Sequence, residues 1–461
     1  MSHMGTNISM SSAALLALAF MAVCLLARYK SARSLTAFAV GATGSLVDAQ
    51  FFGIHLFTMA VVVWASTTRP SRDRAPLHRA FLLMVFAGML ASTSMFGDLV
   101  NSASLGLQLV ALAFCAAVIL RRSDSHDQLI MMRGLFACVT VGSGVALLQF
   151  TQVIPATLLH RDISTLGRPI GIWPEPDWLG LFAAVGLVLA WRMASPAKFR
   201  GMFITINGLA LILAFGRAAW LALAVSVALL TLLRLFQQPK TAPRSRGRIQ
   251  AVLALGLVAI IPLGMSPTLR SDLYQRVTST VSSSNRDVSA NARLEQMSGL
   301  LYLAESAAPL GHGLSASGRV GVSGRLNLGS KSPNNVGSNW LLSMWVDGAL
   351  LALPLMLLLG STALRRASSI GGQLLVIVLL SSLFSNATFF PIAWLCLGLS
   401  LAGRRKPIAP WGAQASTIVQ MCPGRDAAVD RCRESSIPAI RTFSPEHLEA
   451  DLAGRGAHPP D

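Results

Sequence analysis

Arginine placement is the feature of this chain that asks for a chemical explanation. Arg161 and Arg168 lie in one polar connection and Arg217 in a second. Arg270, Arg276, Arg286, Arg293, Arg319, Arg325 and Lys331 lie in a third. A guanidinium offers a rigid fork of donors that matches phosphate two bonds at a time, so these positions point to an anionic partner. Pairing with lipid headgroups or loop carboxylates is the plainer reading. Arg168 and Arg217 stand hard against the starts of helices, which favours a functional role for these two.

Groups able to accept a proton or hold a sugar hydroxyl lie in the same connections. In Arg168-Pro-Ile-Gly-Ile-Trp-Pro-Glu-Pro-Asp-Trp-Leu-Gly, Glu175 is set between two prolines. It is expected to stay outside any regular helix, as a candidate base or hydroxyl acceptor. Asp177 is expected to cap a helix beginning at Trp178. His312, in Pro309-Leu-Gly-His-Gly-Leu, is a candidate general base, although a histidine between two glycines is more often a plain loop residue. Asn334, Asn335 and Asn339, in Ser332-Pro-Asn-Asn-Val-Gly-Ser-Asn, suit hydrogen bonding to sugars and equally suit turns and helix caps.

The elements that hold these groups are apolar. Of 461 residues, 53% are hydrophobic and 13% charged, where a soluble domain carries about 25% charged residues. The mean hydropathy is +0.57. The apolar residues come in blocks such as 11–27, 105–120, 218–233, 249–265 and 374–384. Several blocks approach the ~20 residues a helix needs to cross a bilayer, and they are too long and uniform for barrel strands. The expected fold is an all-α polytopic membrane bundle. The block at 11–27 lacks a basic lead and is expected to be a retained helix.

The net charge of +18 raises the question of nucleic acid. Lys and Arg sit in short clusters between apolar blocks, however, without a basic face or a stacking pattern, so topology explains the charge and no nucleic-acid partner is expected. The clusters are 28–33, 69–79, 121–133, 192–200, 234–248, 365–366 and 404–406. If each is cytoplasmic, the N-terminus, 48–50, 97–101, 151–177, 215–217, 266–338 and the turn near 385 all fall on the other side. This alternation implies about 12–14 crossings, with the C-terminus cytoplasmic. Residues 1–150 then form N-terminal membrane helices, and 151–403 a core with two outer loops, 151–177 and 266–338. Residues 404–461 form a flexible cytoplasmic tail. Within the long loop, Leu294, Met297, Leu300, Leu301 and Ala304 recur at helical spacing and predict an amphipathic helix on the membrane face. No cysteine falls in an outer loop, so no disulfide framework is expected. The sequence holds no Walker A stretch, Cys/His metal spacing, G-x-S-x-G or paired-Asp nucleotide-sugar motif, so neither metal nor cofactor is expected. Charged residues inside apolar blocks are nearly absent, Asp347 being the nearest case, which argues against an ion-coupled transporter.

Four segments together resemble the O-antigen ligase and polymerase superfamily of bacterial inner-membrane glycosyltransferases. They are Arg168-Pro-Ile-Gly with Pro-Glu-Pro-Asp-Trp-Leu-Gly, Gly216-Arg217-Ala-Ala-Trp-Leu-Ala-Leu, Arg293 followed by Pro309-Leu-Gly-His-Gly-Leu, and Asn334-Asn335 with Trp340-Leu and Asp347-Gly-Ala-Leu-Leu. The resemblance covers roughly residues 165–360. It implies metal-independent transfer of a glycan from an undecaprenyl-diphosphate carrier on the periplasmic face. Arg168, Arg217 and Arg293 would then contact the diphosphate. Glu175, His312 or Asn335 would serve the acceptor hydroxyl, and Arg319, Arg325, Asn334, Asn339 and Asp177 would make weaker substrate contacts. Membrane lipid and other polysaccharide-assembly proteins are the further partners implied. Ligases of this family carry a histidine where this chain reads Pro333-Asn334-Asn335, and the Glu-Pro-Asp wording is closer to capsule and exopolysaccharide polymerases. A polymerase is therefore expected ahead of a ligase, and a non-catalytic transporter or assembly partner is the alternative from another class.

Overall fold

A computed structural model describes residues 31–47, 49–51, 53–68, 77–96, 99–154, 168–193, 197–237, 288–320 and 336–402. The expectations for residues 11–27 and 249–265, the tail, Arg161, Arg325, Asn334 and Asn335 lie outside these. The described chain is almost entirely helical: α1 Ala32–Thr43, α2 Leu56–Thr67, α3 Leu77–Ser92, α4 Leu99–Arg122, α5 Ser125–Phe150, α6 Pro176–Arg192 and α7 Ala197–Leu213. After these come α8 Arg217–Gln237, α9 Val288–Ser306, α10 Trp340–Gly348, α11 Leu353–Arg366, α12 Ile370–Ser381 and α13 Pro391–Ala402.

Three helical segments are long and apolar enough to cross a membrane, Leu77–Phe96, Ser102–Arg122 and Ser125–Phe150. The last has 26 residues, about 39 Å at the helical rise, against a hydrocarbon core of about 30 Å. Asp124 starts it with a capping box, its carboxylate accepting from the Asp127 N–H while the Asp127 side chain accepts from the Asp124 N–H. Apolar side chains also point outward, with Phe81 64%, Leu107 68% and Leu357 62% exposed. Exposed apolar surface on this scale is what lipid contact requires.

The sequence pattern misses one element. Ahead of α2, within an apolar run, β1 (Gln50–Phe51) and β2 (Ile54–His55) form a short antiparallel hairpin. Gly53 turns it at φ +76°, and α2 begins only at Leu56. Small residues let the helices approach closely. A Cβ on Gly41 of α1 would strike the Met131 carbonyl of α5, and one on Gly134 of α5 would strike the Phe38 carbonyl of α1.

Contacts between helices sort their ends into two sets. At one end Arg33 of α1 meets Asp124 and Asp127 of α5, Arg122 of α4 donates to the Ala65 carbonyl of α2, and Arg192 of α6 donates to Gln373 of α12 and to the Ser368 carbonyl. At the other end Trp173 Nε1 donates to the Ser45 carbonyl, and Trp178 packs edge-on against Phe390. There too Leu314 N–H donates to the Thr93 carbonyl, and Trp340 N–H to the Ser382 carbonyl. The first set comprises the ends marked by arginine clusters, and the second comprises the connections that the charge alternation assigns to the opposite side.

Candidate functional site

The site lies in the second set of helix ends and is built on the loop from Arg168. Gln149, near the end of α5, clamps that loop. Its Oε1 accepts from the N–H groups of Ile170 (3.1 Å) and Gly171 (2.8 Å), and its Nε2 donates to the Gly171 carbonyl (3.0 Å). Gly171 takes φ +66° against the Gly142 carbonyl, a close approach in a backbone conformation that suits glycine. Trp173 is buried, stacked on Phe182 at 4.9 Å. These bonds fix the short stretch between the buried Trp173 and Arg168.

The helix after the loop starts earlier than expected. Pro176 opens α6, because proline's fixed φ suits the first helical turn. The residue before a proline is driven extended, so Glu175 becomes the N-cap position at φ −139°, ψ 152°. Glu175 therefore does serve a helix, through its carbonyl, which accepts from Leu179 N–H at 3.3 Å, while its side chain is exposed. Asp177 is not the cap. It lies inside the first turn, and its Oδ1 stands 4.0 Å from Arg168 Nη1, with the two side chains 19% and 16% exposed.

Arg217 joins this site through glycine contact. It opens α8 directly after a three-residue connection, 214–216, in which Phe215 has φ +50°. A Cβ placed on Gly180 of α6 would lie 3.7 Å from the Gly216 Cα and 3.2 Å from the Ala219 Cβ. The second turn of α6, just past Asp177, therefore lies backbone to backbone against the connection that leads into Arg217. That contact brings the backbone carrying Arg217 near the start of α6, where Arg168 stands beside Asp177 and Glu175 holds the N-cap position. Guanidiniums and carboxylates at a helix start suit binding of an anionic group and acceptance of a proton from a neighbouring hydroxyl.

Of the remaining expected residues, His312 and Asn339 make bonds that hold local structure. His312 Nε2 faces the Leu303 carbonyl (3.1 Å) and Ser306 Oγ (3.2 Å) at the end of α9, and its N–H donates to the Val346 carbonyl. A ring nitrogen against a carbonyl carries its proton there, so His312 holds its turn onto α9 and α10. Asn339 caps α10, accepting from Leu341 and Leu342 N–H. Arg319 is buried, 8% exposed, in a short 3-10 turn, Ala316–Arg319. Arg293 lies in the early part of α9. The helix expected around Leu294–Ala304 is present as α9; Leu300 and Leu303, with Ala304 beside them, pack on Ala316 and Val346, while Leu301 is 52% exposed.

The sequence reading undervalues Asp347. It is fully buried near the end of α10, accepting from Ser317 N–H (2.7 Å) and Ser317 Oγ–H (3.1 Å), and Gly337 N–H donates to Ser317 Oγ (3.1 Å). Beside it, Gly311 at φ +81° allows the turn to close on the Asp347 backbone. A second buried group, His55, packs edge-on against Phe390, and burial pushes it down to about 4, leaving it neutral near pH 7. Polarity inside an apolar block singles out Asp347 in the sequence, and the same signal could have flagged Gln149.

Fold and site define a class: a helical protein with three candidate membrane-spanning helices and an arginine–carboxylate cluster at one set of helix ends. Neither a family model nor a curated protein matches the chain.

Proposed function

We propose that the protein is a polytopic inner-membrane glycosyltransferase that polymerises undecaprenyl-diphosphate-linked oligosaccharide repeats on the periplasmic face. In this reading the shorter apolar helices complete about 12–14 crossings, and the arginine-marked ends face the cytoplasm. One observation supports it: the connection leading into Arg217 packs through Gly216 on Gly180 of α6, one turn past Asp177, the residue beside Arg168. The resemblance assigns both arginines to the diphosphate.

The reaction needs no cofactor. An acceptor sugar hydroxyl attacks the anomeric carbon of the donor, the bond from that carbon to the diphosphate oxygen breaks, and the lipid diphosphate leaves with the electron pair. Arg168 and Arg217 neutralise the charge gathering on the leaving group, a task suited to fixed cations. The hydroxyl proton passes to a carboxylate, for which the exposed Glu175 is the assigned acceptor. Polymerisation stands ahead of ligation because this chain reads Pro333-Asn334-Asn335 where ligases of the family carry a histidine, and the imidazole of His312 is bonded to the end of α9.

The test is polysaccharide output in a strain lacking this gene, complemented with Arg168→Ala, Arg217→Ala or Arg293→Ala at matched membrane levels. Loss of long polymer with single lipid-linked repeats accumulating is the expected result. Full-length polymer from all three variants refutes the mechanism.

A further inference from the structure

A cleft of about 230 Å³ opens among α3, α11 and α13 at the arginine-marked end. It is smaller than the ~300–1,000 Å³ of pockets that enclose whole drug-sized ligands, so it suits a headgroup. Its walls are graded. Along α11, Leu358, then Ser361 and Thr362, then Arg365 recur at helical spacing on one face, so the wall passes from apolar to hydroxyl to cation toward the helix end. Arg79 and Leu82, three apart on α3, repeat the pair of cation and leucine opposite, and Leu401 of α13 adds apolar floor. Arg366 adds a third cation to the lining, and no carboxylate lines the cleft among the described residues. Arg79 stands in the first turn of α3, at the positive end of its dipole. The C-terminal ends of α11 and α13 oppose an anion there, and the arginines offset that. Leu82 and Leu357 are 41% and 62% exposed beside the cleft, an apolar surface running away from it.

We propose that this cleft binds the phosphate of an anionic membrane lipid, with the arginines on the phosphate and the acyl chains along the exposed leucines. The gradation from leucine through hydroxyl to arginine matches an amphiphile, where a site for free phosphate needs only the cations. The inference rests on membrane embedding and is independent of any glycosyl transfer.

The test uses the full chain purified from membranes, with binding of phosphatidylglycerol, phosphatidylcholine and inorganic phosphate read by native mass spectrometry. The expected result is retention of phosphatidylglycerol in preference to phosphatidylcholine. Arg79→Gln with Arg365→Gln should weaken it by roughly thirtyfold, about fivefold per arginine near a membrane surface. A charge-matched control, Arg121→Gln with Arg133→Gln, should bind as the parent does. Leu358→Trp, which keeps every arginine but fills the cleft, should also lose the lipid. Equal binding of both lipids, equal loss in the control pair, or lipid retention by Leu358→Trp overturns the proposal. Displacement of the lipid by equimolar inorganic phosphate overturns the lipid as its source. Release of the chain from carbonate-washed membranes would instead remove the embedding on which the site depends.

Discussion

Arg168 and Asp177 stand 4.0 Å apart with side chains 16% and 19% exposed, and two roles for the arginine make opposite demands on its partner. If Arg168 exists to neutralise Asp177, deleting either residue does similar harm. If Arg168 serves a diphosphate, Asp177 competes for it. At this separation and an effective dielectric near 20 the attraction is roughly 4 kcal/mol. Desolvation of both groups brings the net coupling down to about 1 kcal/mol. Asp177→Asn should therefore hand about 1 kcal/mol to an incoming phosphate, roughly a fivefold gain in donor affinity. Arg168→Ala removes a charged hydrogen bond of about 1.5–3 kcal/mol, a loss of roughly 10- to 150-fold. Initial rates against donor concentration, with the protein in nanodiscs and a labelled lipid-linked repeat, separate the two. Thermal unfolding of each variant removes a stability artefact. Parallel losses in both variants, tracking a common fall in stability, would refute the diphosphate role.

The glycine contact predicts that Gly180→Val abolishes polymer at normal membrane levels, whereas Gly180→Ala, whose Cβ meets Ala219 at 3.2 Å, keeps most of it; polymer ladders from complemented cells read both. His312→Gln should retain activity within about threefold, because an amide nitrogen can replace Nε2 on the Leu303 carbonyl; a general-base role would instead cost about 10²–10⁴. Burial raises Asp124, but the Asp127 N–H and Arg33 outweigh it and hold its carboxyl below the usual range. Its stabilising contribution is present above the ordinary carboxylate range and fades as pH falls through the lowered value, so Arg33→Gln should flatten that acid limb in unfolding midpoints taken against pH.

The helical character and the grouping of helix ends are legible because each arginine cluster marks a helix end by composition alone. Arg33, Arg122 and Arg192 all make their bonds to neighbouring helix ends at the arginine-marked set. The hairpin at 50–55 is not legible, since Phe51 and Ile54 continue an apolar run and only the Gly53 turn interrupts it. Glu175 and Asp177 exchange expected places for a local reason. A proline at the first helical position moves the helix start by two residues, and that shift turns the presumed cap into an ion-pair partner.

What stays hidden in the sequence is the partner of each polar residue inside an apolar block, because the partners are remote. Gln149 holds a loop 22 residues on, Trp173 reaches back 128 residues to Ser45, and Asp347 holds Ser317 across 30. Asn207 of α7 likewise accepts from Ser143 of α5 at 2.9 Å, across 64 residues. Periodicity cannot encode such pairings, and each side chain read alone looks like an unexplained polar group in an apolar helix. Seen with their partners, these groups are satisfied by hydrogen bonds and serve to fix one segment on another. These four polar residues thus act as scaffold. In the proposed reading, chemistry falls instead to side chains near helix starts, where Arg168 stands beside Asp177 and two glycines let α6 lie against the connection that leads into Arg217.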